Sequence, residues 1–590
     1  MAADRPYNYE LVTRHEDLSE IANRIASAEV IALDLETTAY HPRDGKIRIC
    51  SVNADGACYV IDLFQTGGLG PVRDALRHSK GVKVLQNAKF DQQWLYYHEE
   101  GLELSPLFDT FRASAMLYNG LDDVKHDLYA LYERELKTQP KVPDAGGCGW
   151  QGTLTPEQYD YAAEDIVHLP TLRTLLRKKL IEKGLGTIAA IEFAVVLPES
   201  LVELTGIYVD KNQWTDLARK NAIKAADLKE KLAKKLPDPS RQLSFDGMES
   251  DFNFGSPKQL LASLALLGIK LPDTKDATFA MLGDKYPILE DIRSYREISK
   301  RVESFGEEFL EFVRKDTGRV HSSYYAFLKS GRYASSKPNL AQIPRTADFR
   351  SCFRPKPGWK FVICDYGAVE MRIAAQRSQN KAMIQLFRDN KDPHTYCAAM
   401  AAGISEKEVS KVQRQAAKPV NFGFLYGMRE ELFIQYSKAQ YQVDFTMPQA
   451  KAFRRSYFNV IYPGLEDWHT RELREGKRTH ISRSIGGRLR YIHREDAYNE
   501  FLNNPVQSTG ADALKNAMGI VFNKFRKYNG YAQLVHHVHD ELIAEVLDDP
   551  DLLQSAAHDL EEGMKDGLRP FLKDVPVAAD AHVCVSWADK

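Results

Sequence analysis

The sequence has no long apolar run and no paired cysteines, and each absence excludes a class of protein. The sequence contains no stretch of ~18 apolar residues, the length that is needed to span a membrane. The N-terminus is charged from its fourth residue, unlike a secretory signal. The seven cysteines are scattered without a C-x-x-C pair, which argues against a structural zinc site and a disulfide framework. We therefore expect a soluble intracellular protein with reduced thiols.

A strong net charge is also missing. The 79 Lys and Arg residues nearly balance the 81 Asp and Glu residues, so the formal net charge is only -2. No overall basic field therefore points to a nucleic acid, although a local basic cleft would be enough for binding. Residues 231–236 (KLAKKL) and 299–304 (SKRVES) could supply one, but such runs are more often solvated helix faces.

The length of the chain and its strand-like runs predict several folded units rather than one. A chain of 590 residues suggests roughly three or four domain-sized units. Strand-like runs at 30–37, 47–53, 58–64 and 83–87, followed by amphipathic helices, predict an α/β unit that ends near residue 185.

The remainder of the chain predicts a helical lobe and then a mixed region. Residues 190–235 and 287–314 have helical spacing, and the Pro-, Gly- and Asp-rich residues 237–259 between them predict an extended tip. Strand-like runs at 360–367 and 531–546 are separated by more than a hundred mostly helical residues. This order predicts a sheet that is interrupted by a helical insertion.

The early strand-like runs carry a set of acids. In IALDLETTAY, Asp34 and Glu36 alternate with Ile31, Leu33 and Leu35, so a strand would present both carboxylates on one face. The alternative is a pair of solvent-facing acids on an edge strand.

Asp91 follows in NAKFDQQWL, and Tyr161 and Asp165 in YDYAAEDIVHL are one helical turn apart. Four acids and a phenol suit two hard divalent cations that activate a water for phosphodiester hydrolysis, with Tyr161 orienting that water.

A second set of acids lies in the mixed region. Asp365 ends an apolar strand in KFVICDYGAVEMR, and Glu370 follows on the next helix, where a helix-capping role is the alternative. In LVHHVHDELIAEV, residues 534–546, the polar residues His539, Asp540 and Glu541 interrupt an apolar run. That pattern predicts a tight hairpin, whose tip could face either water or metal ions.

Between these acids, four residues recur at intervals of four in VQRQAAKPVNFGFLYGM. Arg414, Lys418, Phe422 and Tyr426 would form one stripe on a helix. Two cations followed by two aromatic rings suit a triphosphate and then a sugar and base, whereas an ordinary amphipathic face would not need this gradient.

The motifs together resemble two known families. The order D-x-E, N-x-x-F-D and Y-x-x-x-D over residues 30–170 resembles the DEDDy 3′-5′ exonucleases. RYASSKPNLAQIP, DYGAVEMR, RQAAKPVNFGFLYG, NNPVQSTGADALK and HVHDEL occur in the order of the motifs of family A DNA polymerases of the bacterial large-fragment type. FNFGSPKQL (252–260) is similar to the thumb segment of that family.

The resemblance implies an α/β plus α+β multidomain fold, with a ribonuclease H-like exonuclease domain followed by a right-hand polymerase. The implied domains are a 3′-5′ exonuclease (1–187), a thumb (188–318), a palm in two parts (319–385 and 500–590) and fingers (386–499). The implied activity is template-directed DNA synthesis from a primer 3′ end, with 3′-5′ proofreading.

Site residues follow from the matching motif positions. The catalytic residues implied are Asp365, Asp540, Glu541 and Lys418 for synthesis, and Asp34, Glu36, Asp91, Tyr161 and Asp165 for the exonuclease. The residues implied to bind substrate are His394, Arg414, Lys418, Phe422, Tyr426, Glu370, Arg332, Gln507 and His539. The metal ligands implied are Asp365, Tyr366 and Asp540 in one site, and Asp34, Glu36, Asp91 and Asp165 in the other.

The resemblance also implies two Mg²⁺ ions in each site, with Mn²⁺ as a substitute. The expected partners are primer-template DNA and dNTPs, without a membrane, and the protein is expected to act as a monomer. Its expected location is the cytoplasm with the nucleoid, or a host cytoplasm or organelle if the source is viral or organellar.

Four features depart from the family pattern. Gly367 and Ala368 replace polar residues beside the sugar pocket, and Asn499 replaces an arginine near the primer-template. Pro419 predicts a kink or stop just after Lys418, because proline inside a helix costs roughly 3 kcal/mol. We also expect no 5′-nuclease domain. The alternatives to a proofreading polymerase are an exonuclease with a DNA-clamping lobe and a DNA-binding replication scaffold with a vestigial polymerase site.

Overall fold

The computed structural model describes residues 6–142, 149–239, 252–494 and 496–590. The central part of the predicted tip, residues 240–251, lies outside the described residues, as does Cys148. The six cysteines within them are free. Within the same residues, no helix is both long and apolar enough to cross a membrane.

A six-stranded mixed sheet organises the N-terminal part. Its order is β1-β4-β3-β2-β5-β6, with β3 antiparallel to both neighbours and the other pairs parallel. Four of its strands are the four predicted ones, whereas β1 and β6 have three residues each and were missed. The strands are β1 (Glu10–Val12), β2 (Val30–Thr37), β3 (Ile47–Ala54), β4 (Ala57–Asp62), β5 (Val82–Leu85) and β6 (Leu107–Asp109).

Helices cover this sheet and complete the predicted α/β unit. Helix α7 begins at a capping box, in which the side chains of Thr155 and Gln158 each accept a hydrogen bond from the backbone N–H of the other residue. Pro156 occupies the first turn of the helix. That start places α7 against β2, β3 and β4. The helices are α1 (Leu18–Ser27), α2 (Leu63–Thr66), α3 (Pro71–His78), α4 (Lys89–His98), α5 (Thr110–Leu117), α6 (Leu128–Leu131), α7 (Pro156–Val167) and α8 (Leu169–Glu182).

Long helices form the lobe that follows. Trp214 of α11 stacks on Phe309 at a centroid distance of 4.0 Å, which anchors the lobe at one end. Lys231 and Lys235 pair with Asp291 of α14 on the lobe surface, in keeping with a solvated helix face. The elements are α9 (Gly186–Ala194), α10 (Val196–Thr205), β7 (Ile207–Tyr208), α11 (Lys211–Lys235), α12 (Pro257–Leu266), α13 (Asp276–Leu282) and α14 (Ile288–Phe305).

The C-terminal part contains a four-stranded antiparallel sheet of order β14-β15-β11-β16. The sheet brings together strands from both ends of this part, as expected for a sheet interrupted by an insertion. Its strands are β11 (Trp359–Tyr366), β14 (Ala532–Val538), β15 (Glu541–Leu547) and β16 (Ala579–Cys584). The shorter strands are β8 (Arg319–Val320), β9 (Ser323–Tyr325), β10 (Ala334–Ser336), β12 (Ile481–Arg483) and β13 (Leu489–Tyr491).

The helices of the C-terminal part pack on this sheet or form the insertion. They are α15 (Ala347–Arg350), α16 (Val369–Ser378), α17 (Lys381–Arg388), α18 (Pro393–Ala402), α19 (Lys411–Leu425), α20 (Glu430–Tyr441), α21 (Met447–Ser456), α22 (Leu465–Thr479), α23 (Tyr498–Phe525) and α24 (Pro550–Leu568).

Pro419 does not end helix α19. The helix continues from Lys411 to Leu425 with Pro419 inside it, so the predicted stop after Lys418 is wrong. Pro419, Val420 and Phe424 are buried, and apolar burial of this kind offsets the lost backbone hydrogen bond. A bend of the helix axis stays a prediction.

Candidate active sites

The first carboxylate centre lies on a central strand. β2 is flanked by β3 and β5, so the edge-strand alternative is wrong. One carboxylate oxygen each of Asp34, Glu36 and Asp165 lies within 4.8 Å of the others, because α7 crosses β2 at this point. The structure therefore brings these three predicted acids together, and their role as metal ligands stays a prediction.

Asp91 and Tyr161 complete the exonuclease-like centre. Asp91 lies on α4 and is 2% exposed, and its Oδ1 has no hydrogen-bond partner. Burial raises the pKa of Asp34 to about 7, and burial and the charge of Asp34 raise the pKa of Asp91. Burial, Asp165 and Glu36 also raise the pKa of Tyr161.

These observations fit a metal centre. Three carboxylates converge, and a fourth, Asp91, interacts electrostatically with Asp34. Oxygen Oδ1 of Asp91 is buried without a hydrogen-bond partner, and the pKa values of Asp34 and Asp91 are both raised. Hard divalent cations such as Mg²⁺ and Mn²⁺ prefer such a donor set and would relieve the repulsion.

The second centre is built by the predicted hairpin. β14 ends at Val538 and β15 begins at Glu541, so His539 and Asp540 form the turn, with His539 in the left-handed region at φ 54°. Asp365, at the end of β11, lies opposite Glu541 in register. The backbone N–H of Tyr366 donates to the Asp540 carbonyl at 3.4 Å. The hairpin and the convergence of Asp365 with Asp540 and Glu541 agree with the sequence prediction.

The acids of this centre differ in their surroundings. Burial and the nearby Asp365 raise the pKa of Asp540. Glu541 accepts a hydrogen bond from the indole of Trp587 at 2.7 Å and pairs with the ammonium of Lys590. Lys590 also lies 2.8 Å from Asp365. The half-buried Asp365 and Asp540 offer hard oxygen donors to a cation, whereas Glu541 is already bound within the protein.

The side chain of Tyr366 points away from this centre. Its hydroxyl is buried and donates to the carbonyl of Met564 at 2.7 Å. If Tyr366 binds a metal, it therefore does so through its backbone carbonyl.

The predicted stripe lies on α19 and at its end. Arg414 forms a bidentate ion pair with Asp392, at 2.9 and 3.0 Å. The ring of Phe422 lies 5.6 Å from that of His394. Lys418, which lies between Arg414 and Phe422 in the sequence, has a half-buried side chain. Tyr426 follows the last turn of the helix.

His394 is held as a neutral donor. Asn421 Nδ2 donates to His394 Nδ1 at 3.0 Å, which leaves the proton on Nε2. Burial, together with Arg414 and Lys418, lowers the pKa of His394 to about 4.

Glu370 connects the stripe to the hairpin region. Tyr426 donates to one of its carboxylate oxygens at 2.5 Å and Arg332 donates to the other at 2.9 Å. Glu370 makes no capping hydrogen bond on α16, so the capping alternative is not supported. Burial, Arg345 and Arg332 lower the pKa of His539 at the hairpin tip to about 4.

The remaining predicted residues lie around these groups. Gln507 is half-exposed on α23, and Asn499 is exposed in the first turn of that helix. Gly367 and Ala368 are exposed between Asp365 and Glu370, with Ala368 at φ 50°.

Three residues in these surroundings were missed from the sequence. Asp392, Trp587 and Lys590 are distant in the chain from Arg414, Glu541 and Asp365, to which they bind, so spacing carried no signal for these contacts.

Comparisons with known proteins identify the family of each part of the chain. The family model described as DNA polymerase family A matches residues 223–589, and the one described as 3′-5′ exonuclease matches residues 9–181. DNA polymerase I of Aquifex aeolicus is 28% identical, over 98% of this chain and 99% of that relative. DNA polymerase I of Pseudomonas aeruginosa is 29% identical over 98% of this chain, which spans 66% of that relative.

A solved structure shares the fold. The POL domain of Pol1 from M. smegmatis, in complex with DNA primer-template and dNTP, superimposes with a TM-score of 0.82 at 22% identity. The match covers 98% of this chain and 99% of that one. The chain therefore belongs to DNA polymerase family A: it is a DNA-directed DNA polymerase whose polymerase domain follows a 3′-5′ exonuclease domain.

Proposed function

We propose that the chain extends a primer in the centre formed by Asp365 and Asp540, and removes mismatched 3′ nucleotides in the centre formed by Asp34, Glu36, Asp91 and Asp165. The observation that carries this proposal is the existence of two separate carboxylate centres. One lies on β2 in the part that matches the exonuclease family, and the other lies at β11 and the β14–β15 hairpin in the part that matches the polymerase family.

The domain boundaries are part of the proposal. We assign residues 1–187 to the exonuclease, 188–318 to the thumb, 319–385 and 500–590 to the palm, and 386–499 to the fingers. In support, α8 ends at Glu182, the long helices α11 and α14 fall in the thumb, and all four strands of the C-terminal sheet fall in the two palm segments.

In the exonuclease centre, Asp34, Glu36, Asp91 and Asp165 would hold two Mg²⁺ ions, or Mn²⁺ in their place. When bound, such ions activate a water and stabilise the leaving oxygen of a phosphodiester. Tyr161 lies one turn from Asp165, and burial raises its pKa further above the ordinary value of 10.0, so its hydroxyl is protonated at neutral pH. That hydroxyl can therefore donate to and orient the attacking water.

In the polymerase centre, Asp365, Asp540 and the carbonyl of Tyr366 would hold two Mg²⁺ ions. When bound, such ions lower the pKa of the primer 3′-hydroxyl and neutralise charge on the triphosphate.

The residues of α18 and α19 bind the incoming nucleotide. Arg414 and Lys418 attract its phosphates, and Lys418 supplies a proton to the departing pyrophosphate. His394 donates from Nε2 to a phosphate oxygen as a neutral group, because its pKa is about 4. Phe422, packed near His394, stacks on the sugar and base.

Glu370 selects against ribonucleotides. Tyr426 and Arg332 fix its carboxylate from two sides, which keeps it in the space that a 2′-hydroxyl would need. Arg332, Gln507 and His539 contact the primer-template, where minor-groove acceptors shared by all correct pairs report geometry rather than sequence.

The partners in this proposal are primer-template DNA and dNTPs, bound by a monomer. We place the protein where its DNA is, with the nucleoid in the cytoplasm of a bacterium, or in a host cytoplasm or organelle for another source.

Two substitutions test the proposal. Asp540→Ala is expected to reduce primer extension by roughly a thousandfold or more while sparing 3′-end degradation, and Asp34→Ala is expected to do the reverse. Both activities are measured on labelled primer-templates with matched and mismatched 3′ ends. Loss of both activities from either single change would contradict two separate sites.

Asp548→Ala and Asp74→Ala are matched controls. Each removes a surface acid from the same part of the chain as its test residue, with side-chain exposures of 45% and 56%. Both variants are expected to retain both activities.

A further inference from the structure

Lys590 lies at the polymerase carboxylates, although no motif points to it. Its Nζ is 2.8 Å from Asp365 Oδ2, and it also pairs with Glu541 Oε2. The side chain of Lys590 is only 21% exposed. One ammonium therefore bridges the two acids that β11 and β15 place opposite each other.

The segment that carries Lys590 is fixed in position. Trp587 is 1% exposed, packs edge-on against Phe353 at 5.4 Å and donates its indole N–H to Glu541 at 2.7 Å. Ser586 and the backbone of Val585 hold Asp589 Oδ2 at 2.8 and 3.1 Å. These contacts hold the backbone near Lys590 in place, so they position its side chain beside the carboxylates.

We propose that Lys590 is a built-in counter-ion of the polymerase centre, which neutralises Glu541 at all times and Asp365 only until a divalent cation binds there. This inference rests on the proposed metal centre. A cation bound by Asp365 and Asp540 weakens the hold of the ammonium on Asp365, since two positive charges then compete for one carboxylate. The ammonium keeps its second partner, Glu541, and so does not have to leave the protein.

The arrangement separates the roles of the two adjacent acids. Glu541 has both of its oxygens engaged, one by Trp587 and one by Lys590. Among the described residues, neither Asp365 nor Asp540 has both carboxylate oxygens bound by Trp587 and Lys590 in this way. Lys590 therefore sets the threshold concentration at which the centre takes up its cations, and Glu541 acts as the holder of Lys590.

The test measures metal binding rather than synthesis. Asp34→Ala and Asp91→Ala together remove two of the four exonuclease acids, and the Mn²⁺ bound by the polymerase centre is titrated by electron paramagnetic resonance. In this background, Lys590→Met is expected to tighten Mn²⁺ binding about fivefold, because a competing charge is removed. Lys590→Arg keeps the charge and is expected to stay within about twofold of the parent.

Lys565→Met is the matched control. Lys565 also bridges two carboxylates, Glu561 and Glu562, at 2.5 and 2.9 Å, but on α24. It should leave Mn²⁺ affinity unchanged. A second readout is melting in EDTA, where Lys590→Met should lower the melting temperature and then gain more from added Mn²⁺ than the parent does.

Unchanged or weaker Mn²⁺ binding by a folded Lys590→Met variant would overturn the inference. Asp540→Ala in the same background distinguishes this failure from failure of the proposed function. If Asp540→Ala leaves Mn²⁺ binding intact, the metal centre itself is misplaced and the inference fails with it. If Asp540→Ala abolishes binding and Lys590→Met does not tighten it, only the role of Lys590 is wrong.

Discussion

At the scale of single residues, Arg414 is oriented by an acid that the sequence motif does not include. Asp392 accepts two hydrogen bonds from its guanidinium and also caps α18 by accepting from the backbone N–H of Thr395 at 2.8 Å. Burial opposes ionisation of Asp392, but Arg414 and Thr395 lower its pKa to about 2. Asp392 is therefore ionised at every working pH, and it fixes Arg414 beside His394.

Asp392→Asn is expected to raise the KM for dNTPs about fivefold while changing kcat less. Asparagine keeps the helix cap but loses the bidentate charge-assisted pair, so Arg414 is no longer pre-oriented for the triphosphate. Steady-state primer extension over a range of dNTP concentrations measures both constants.

Asp389→Asn is the control for Asp392→Asn. It removes a nearby exposed acid that bonds Gln385 rather than an arginine. An unchanged KM in Asp392→Asn, or an equal rise in both variants, would show that Asp392 does not position Arg414.

At the scale of elements, local patterns predicted those parts of the sites whose residues are close in sequence. The two-residue alternation predicted Asp34 and Glu36 on one face of β2, and the length of the run at 534–546 predicted the hairpin turn at His539 and Asp540. Pro419 shows the limit of such patterns. Its local cost predicted a helix stop, but packing of the buried side of α19 outweighs that cost.

The end of α19 is held by a histidine from another helix. The ring of His469 on α22 is 2% exposed, and its Nε2 is 2.9 Å from the carbonyl of Leu425, which closes the last turn before Tyr426. Burial lowers the pKa of His469 to about 4. An unfolded chain binds this proton near the ordinary value of 6.5, so the folded state loses stability as the pH falls from about 6.5 towards 4.

His469→Gln is expected to flatten this dependence. The free energy of unfolding of the variant should fall by about 2 kcal/mol less than that of the parent between pH 7 and pH 4.5, because glutamine does not titrate. Urea unfolding at the two pH values measures the difference. His480→Gln changes an exposed histidine just after the same helix and should behave as the parent does. Parallel pH profiles of His469→Gln and the parent would contradict this assignment.

At the scale of the whole molecule, a buried ionic network joins the exonuclease and polymerase parts. Glu192 of α9 binds Arg112 of α5 at 3.0 Å and Lys515 of α23 at 2.6 Å, and it also pairs with Arg488. These side chains are at most 4% exposed. Glu192 is the partner that all three cations share, while Arg112 also pairs with Glu199 at 2.7 Å and Arg488 with Asp512 at 2.6 Å. These buried anions together compensate the buried positive charges.

No sequence pattern predicted this network. Lys515 lies 323 positions from Glu192 in the chain, so only the packing of α9 against α23 brings these two residues together. The same reason explains why Lys590 was missed beside Asp365, whereas the acids of each motif were found. Strands of three residues, such as β1 and β6, were missed because so short a run carries no alternation.

Glu192→Gln is expected to destabilise the protein by about 3 to 5 kcal/mol, because three buried cations lose their common anion. Unfolding in urea at pH 7 measures the change, and both activities should fall together on warming, since the network belongs to neither catalytic centre.

Glu103→Gln is the matched control. It breaks the ion pair of Glu103 with Arg526, which also joins the two parts of the chain. The side chains of this pair are 29% and 48% exposed, so the substitution should lower the free energy of unfolding by at most about 1 kcal/mol. Equal effects of the two substitutions would mean that burial does not set the strength of this connection.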